Sequence, residues 1–206
     1  HESMANVVSK IQNHPEYPSL FQKAFGTDVV SSKLIFYAIA QFERTLISAN
    51  SKFDKWKRGE LSLTAQEQRG LDVYTDETKG DCTHCHSFGS TFTDFEFRNT
   101  GLDSIPVDLG RYLITLNPLD EGKFKTPTLR NVAMTGPYMH DGRFTTLRQC
   151  IEHYNKNFRY TKNLAPELKI AVKNRMTEDD IDDLISFLNT LTDTDFINNK
   201  NFDKPE

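Results

Sequence analysis

The chain has 206 residues, of which 37% are hydrophobic and 26% charged, and its formal net charge at pH 7 is −4. That length holds one large or two small domains, and the slightly acidic balance lacks the basic stripe a nucleic-acid partner requires. Three cysteines are too few for a disulfide framework, and the longest apolar run, Leu34 to Ala40, is far too short to span a bilayer.

In chain order, residues 4–13 read as a short helix with Val7, Val8 and Ile11 on one side, interrupted by Pro15 and Pro18. Leu20, Phe21 and Phe25 mark a second short helix that Gly26 stops. Ser31 or Ser32 caps a longer one, with Ile35, Ile39, Phe42 and Leu46 at helical spacing. Residues 50–59 read as a polar turn, in which Trp56 is expected to pack at a seam rather than relay electrons. Thr64-Ala65-Gln66-Glu67 is a capping box that opens a helix running to about Tyr74.

Residues 91–125 show no strong period and read as loops, with room for a short hairpin and a brief apolar-containing run at Tyr112–Thr115. Thr145 or Thr146 caps the next helix, where Leu147, Cys150, Ile151 and Tyr154 share one face at 100° per residue, and a polar stretch at 155–163 ends it. Residues 166–173 suggest a further short helix. Thr177 with Asp180 opens the last, carrying Ile181, Leu184, Ile185 and Leu188, with Asp179, Asp180, Asp182 and Asp183 on its solvated face. Residues 192–206 are polar and read as an arm. The class is mainly α.

The chemistry concentrates in Cys82-Thr83-His84-Cys85-His86, which fits the C-x-x-C-H pattern of covalent c-type haem attachment. Two thiols one turn apart can each add to a vinyl group of one porphyrin, and the adjacent imidazole faces the iron. Cys82 and Cys85 are then thioether anchors and His86 an axial ligand. Two other chemistries compete. A structural zinc site needs four N/S ligands, and no second C-x-x-C is present to close a tetrahedron. A thioredoxin-like redox pair needs a βαβ unit around it, and none is visible. Covalent haem attachment in bacteria happens outside the cytoplasm, yet the sequence opens on His1-Glu2-Ser3 with no apolar leader. A mature or trimmed chain of a periplasmic protein is the expectation.

A wider set of motifs surrounds the pentapeptide. These are Ala40-Gln41-Phe42-Glu43-Arg44-Thr45-Leu46, Phe53-Asp54, Asp108-Leu109-Gly110-Arg111, Lys125-Thr126-Pro127-Thr128-Leu129-Arg130-Asn131-Val132 and Pro137-Tyr138-Met139-His140-Asp141-Gly142. In this order, over nearly the whole chain, they resemble the bacterial dihaem cytochrome c peroxidases and their MauG-like relatives. Those enzymes carry two C-x-x-C-H motifs, and the one present here matches the C-terminal, electron-transfer haem.

The resemblance implies a cytochrome c-like haem domain at 61–191, a helical segment at 1–60 that belongs to or packs on an N-terminal haem domain missing from this sequence, and the arm at 192–206. It implies haem c, one in this chain and two in the parent protein. The parent would reduce H₂O₂ with electrons from a small soluble cytochrome or copper protein. The alternatives are a MauG-like oxidase working through surface radicals, or a one-haem electron carrier with no enzymatic activity. Dimerisation is common in the family.

Glu2 lies near where the family keeps a distal glutamate for the peroxidatic haem. The sixth ligand of the electron-transfer haem falls fourteen residues past the histidine of H-D-G, which here is Tyr154. It is Met in the peroxidases and Tyr in the MauG-like branch. Met139, Met134, His153 and water are the rivals, and a core tyrosine with a satisfied hydroxyl is the other role open to Tyr154. A Ca²⁺ site implied by the family would use the backbone carbonyls of Thr135 and Pro137, oxygen ligands suited to a hard cation. Of the remaining candidates, His84 is expected to face solvent, His140 to fix its turn by hydrogen bonding, and Cys150 to be a buried small residue.

Overall fold

The computed structural model describes residues 2–89, 91–170 and 175–203. The chain divides into two units, one of residues up to Ile47 with the segment from Lys200, the other of Ser48–Asn199.

In the first unit, α1 (Met4–Gln12), α2 (Tyr17–Phe25) and α3 (Ser32–Glu43) form in the expected places. Ser3 and Ser31 cap α1 and α3, and Gly26 ends α2 at φ 75°, a conformation glycine adopts without the Cβ clash. Phe21, Val30 and Ile35 form a small core. Gln12 clamps the loop before α3, accepting from Val30 N at 2.7 Å and donating to the Asp28 carbonyl at 3.1 Å. Of the predicted apolar stripe only Ile35 is buried; Ile39 and Phe42 on α3 and Leu46 beyond its end are exposed, as are Phe36 and Tyr37.

The second unit is built on two helices. α5 (Ala65–Thr75) opens on the Thr64–Glu67 capping box and α9 (Glu178–Asn189) on its Thr177–Asp180 counterpart, both as the sequence indicated. They cross at Gly70, where an added Cβ would stand 1.9 Å from the Asp183 carbonyl oxygen and 2.8 Å from Phe187 Cβ. That approach buries Tyr74, Ile181, Leu184 and Phe187 almost completely, each such burial contributing roughly 1.5–3 kcal/mol for an aliphatic or aromatic side chain. Arg69 closes the seam with two hydrogen bonds to Asp183, at 2.7 and 2.9 Å. The acidic run is only in part a solvated face: Asp179 and Asp182 are exposed, and Asp180 and Asp183 are not. Asp183 is buried, Asp180 caps its own helix and pairs with Lys79 at 2.7 Å, and Asp182 pairs with Arg148.

Between them lie β1 (Phe97–Arg98) and β2 (Phe124–Lys125), the expected short hairpin-like ladder, antiparallel with Phe97 opposite Lys125. The one-turn α6 (Tyr112–Thr115) matches the brief apolar-containing run. α7 (Leu147–Glu152), capped by Thr146, ends earlier than its spacing suggested and passes into a π-helical turn, His153–Asn157. α8 (Pro166–Ile170) occupies the start of the predicted 166–173 helix, and 171–173 fall outside the described residues.

Three expectations are corrected. Residues 50–59 are not a plain turn: Ser51 and Asp54 form a capping box for α4 (Lys52–Lys57). The division of the chain falls at Ile47/Ser48 rather than at 60/61, because this segment is tied into the second unit by Phe53 N donating to Thr190 O at 3.0 Å. Residues 192–199 are not a loose arm. Asp193 is buried, caps α10 (Thr194–Ile197), and accepts from Asn50 N at 2.8 Å and Ser48 Oγ at 3.3 Å. Trp56 is partly buried against the same core, its ring 5.5 Å from Phe53. Among the described residues no helix is long and apolar enough to cross a membrane.

Candidate haem-attachment site

The pentapeptide begins where α5 has ended. Gly80 N bonds back to Val73 O at 3.1 Å, an approach a side chain would block, since a Cβ there would meet that oxygen at 2.4 Å. Asp81 follows at φ 51°, and Cys82–His84 winds as a single 3₁₀ turn. Cys85 N and His86 N both point to Cys82 O, at 3.3 and 2.8 Å. This winding gives the two thiols and the imidazole their one-turn relationship.

Two backbone carbonyls fix His86. Tyr74, on the last turn of α5, donates its hydroxyl to the His86 carbonyl. The ring Nδ1 lies 2.9 Å from the Phe92 carbonyl. That oxygen can only accept, so Nδ1 carries the proton in this contact, and the Pro127 carbonyl is a second backbone acceptor for the ring. Burial holds the imidazole below its usual pKa range, and the Phe92 bond only partly opposes that. A neutral ring with its far nitrogen anchored to a carbonyl is the arrangement that orients metal-ligating histidines.

Phe92 was not legible as a site residue. It is fully buried at φ 50°, rare for an aromatic residue, and that backbone turn aims its carbonyl at the imidazole. Its loop is pinned on both sides: Asp94 N donates to Cys85 O at 3.0 Å, and Thr93 Oγ1 to Thr126 O at 2.7 Å.

Burial pushes the Cys82 thiol up to about 12, against the opposing charge of Arg175, and the Cys85 thiol up to about 11, against that of Arg98. Reactive dithiol pairs require a lowered pKa, so the redox-pair chemistry is disfavoured. The zinc chemistry fares no better. Among the described residues no three His, Cys, Asp or Glu side chains cluster as metal donors, and His84 is exposed and engaged with Asp81 at 2.5 Å. What the donor set fits is haem c: two uncharged thiols one turn apart and, beside them, a neutral imidazole whose Nδ1 is anchored to a carbonyl.

Tyr154 sits in the π turn and packs against the Phe158 cluster. Burial is the main reason its phenol pKa is raised; the Cys150, Cys85 and Cys82 thiols add to it, and a hydrogen bond with the Thr100 side chain opposes it. The hydroxyl is thus a buried phenol with a hydrogen-bond partner in Thr100. His153, its rival, is buried with Nε2 2.9 Å from the Thr100 carbonyl and its ring 5.3 Å from that of Tyr154. Met134 is exposed, and Met139 holds a left-handed backbone at φ 68°. A π turn inserted in a helix is often found at a functional position, and no 3.6-residue pattern could have revealed it.

Glu2, in the first unit, is exposed and pairs with Lys10 at 2.8 Å. Thr135 and Pro137 are exposed in a surface turn. His140 does not brace that turn by a hydrogen bond as expected. It stacks on Phe124 at 3.8 Å, and Asp141 makes the turn's bonds, accepting from Arg143 N at 3.2 Å. Cys150 is only partly buried, its thiol raised by burial to about 11.

A family model described as "Di-haem cytochrome c peroxidase" matches residues 1–62. The methylamine utilization protein MauG of Methylophilus methylotrophus is 35% identical over 189 residues, 91% of this chain and 55% of that protein. The cytochrome c551 peroxidase of Nitrosomonas europaea is 33% identical over 196 residues, 93% of this chain and 53% of that protein. The chain thus spans about half the length of the curated relatives it matches. Among solved structures, a MauG-like protein associated with microbial copper homeostasis superposes with a TM-score of 0.86 at 33% identity, covering 98% of this chain and 65% of that one.

Proposed function

This chain belongs to the di-haem cytochrome c peroxidase and MauG family of oxidoreductases, and from that premise we propose that it supplies the electron-transfer haem domain of a periplasmic peroxidase. Cys82 and Cys85 would hold the haem through thioethers, and His86 and Tyr154 are the side chains that would be offered to its iron. The parent protein reduces H₂O₂ with electrons from a small soluble cytochrome or copper protein. A second C-x-x-C-H, absent from these 206 residues, lies in an N-terminal haem domain, and the exposed apolar side chains of α3 pack on that domain. Glu2 serves the peroxidatic haem there, and the Thr135 and Pro137 carbonyls contribute to a Ca²⁺ site.

Haem c, when bound, supplies one-electron chemistry at a potential its axial ligands and surroundings tune. The protein's part is positional and electrostatic. The Phe92 carbonyl holds the His86 ring in one tautomer and makes Nε2 a stronger base. The crossing of α5 and α9 keeps Tyr74, and through it the His86 carbonyl, out of water. Burial first, and then the thiols, raise the pKa of the Tyr154 phenol, so to hold the iron as a phenolate it would have to give up its proton.

The carrying observation is the pair formed by the pentapeptide turn and the His86–Phe92 bond. The identity of residue 154, Tyr where the peroxidases carry Met, supports a second reading, a MauG-like oxidase. An anionic phenolate stabilises the ferric state and lowers the potential where a thioether would raise it. Optical and EPR spectra of the ferric, haem-loaded chain, compared with those of Tyr154→Phe, test both. Loss of a low-spin ligand set in the variant supports Tyr154 on the iron and the MauG-like branch. Identical spectra remove Tyr154 as a ligand and leave the ordinary peroxidase reading.

A further inference from the structure

One buried ion pair of the second unit has no part in the scheme above. Asp54, the capping-box residue of α4, accepts two hydrogen bonds from Arg130, Nη1 to Oδ2 and Nη2 to Oδ1, both at 2.9 Å. Ser51 adds its backbone N at 3.0 Å and its hydroxyl at 2.7 Å to the same carboxylate. Both charged side chains are nearly buried, 13% exposed for Arg130 and 11% for Asp54. A surface cap needs neither a bidentate partner nor that degree of burial.

The guanidinium points at the ring of Phe92, 5.6 Å from its centroid. Phe53, the neighbour of Asp54 on α4, packs edge-on to the same ring at 5.1 Å. Phe92 is thus held by a cation and an aromatic carried on two segments that Asp54 links. It needs holding, because φ 50° is unfavourable for a residue with a bulky side chain. Released, the backbone relaxes and its carbonyl turns away from the imidazole.

We propose that Asp54 and Arg130 are positioning residues for the axial imidazole: the pair locks Phe92 in its left-handed turn, and so sets the strength of the bond from His86 Nδ1 to the Phe92 carbonyl. The proposal rests on the reading of His86 as an iron ligand. A strong Nδ1–H···O bond makes Nε2 more basic and favours the ferric state. Weakening the pair therefore raises the reduction potential.

The test uses the whole haem-loaded chain with Asp54→Asn and Arg130→Lys. Two readouts are taken: the potential by redox titration, and the solvent exchange of the paramagnetically shifted Nδ1–H proton by NMR. The lysine retains the charge but not the two-pronged contact, so it serves even if the asparagine variant does not fold. The expected result is a shift of the reduction equilibrium toward the ferrous form, about tenfold for Asp54→Asn, which is ~59 mV for a one-electron couple. Arg130→Lys gives a smaller shift of the same sign, and exchange quickens in both. If either folded variant loses thermal stability but keeps the wild-type potential and exchange rate, the pair is structural only and the proposal is overturned. If the wild-type chain takes up no covalent haem, the reading beneath it fails, and the pair's role fails with it.

Discussion

Gly70→Ala separates the helix crossing from every other determinant of this fold. In an ordinary helix interior the change is favourable by roughly 0.5–1 kcal/mol, because glycine pays more backbone entropy. Here the new methyl would lie 1.9 Å from the Asp183 carbonyl oxygen and 2.6 Å from its carbon, against an ordinary contact of about 3.4 Å or more. The obstacle is backbone of the opposing helix, so no rotamer change relieves it. α5 and α9 must part by more than an ångström, which loosens the packing of Tyr74, Leu184 and Phe187. Overpacking costs about 1–3 kcal/mol, and the absence of a flexible neighbour places this case at the upper end. Set against the helix-propensity gain, the net loss is about 2 kcal/mol. For a chain of this size that is a drop of roughly 4–8 °C in Tm. Thermal melts of the haem-loaded chain, followed by far-UV circular dichroism, read it directly. An unchanged or raised Tm would mean that the helices do not meet at this residue, and the close crossing would be wrong.

Two further outcomes follow from the same geometry. Burial alone would raise the Asp193 carboxyl, but the hydrogen bonds from the backbone of Asn50 and Phe196 and from Ser48 outweigh it and hold the pKa below the usual 3.8. A depressed folded-state value means that the stabilisation is complete above the unfolded pKa and is lost as pH falls through the folded one. Asp193→Asn should therefore cost about 1.5–3 kcal/mol at pH 7, the worth of bonds to a charged acceptor. The difference from wild type should shrink in urea titrations below pH 4; a gap that is constant with pH would contradict this. Cys85→Ala leaves one thioether, so denaturing gel electrophoresis should still show covalent haem while the pyridine haemochrome band moves to longer wavelength. A wild-type band in the variant would exclude Cys85 as an anchor.

The elements that could be read from sequence are those whose cause is local. Thr64 with Glu67 and Thr177 with Asp180 announce their helices because a hydroxyl and a carboxylate three residues apart satisfy each other's backbone donors. Ser51 with Asp54 is the same device, but it precedes a helix of six residues, too short for any apolar period to register. The acidic run on α9 misled for a different reason. Charge content does not say which carboxylates a cation reaches from another element: Arg69 and Lys79 draw in Asp183 and Asp180, while Asp179 and Asp182 stay exposed.

The site divides along the same line. Cys82, Cys85 and His86 are legible because covalent chemistry demands those side chains at that spacing. The group that orients His86 is a carbonyl, which every residue possesses, and its aim depends on one positive φ at Phe92. No residue code carries that information, because the conformation is imposed from outside by the side chains around the Phe92 ring. The same holds for Tyr154. Helical spacing put it on the face of Leu147 and Ile151, while the π turn that carries it exists only once tertiary contacts accept an extra residue in the ring. Side chains that do chemistry were readable, and the backbone that aims them was not. A potential measurement on Asp54 and Arg130 variants therefore reports on a layer of the site that sequence comparison by motif leaves out.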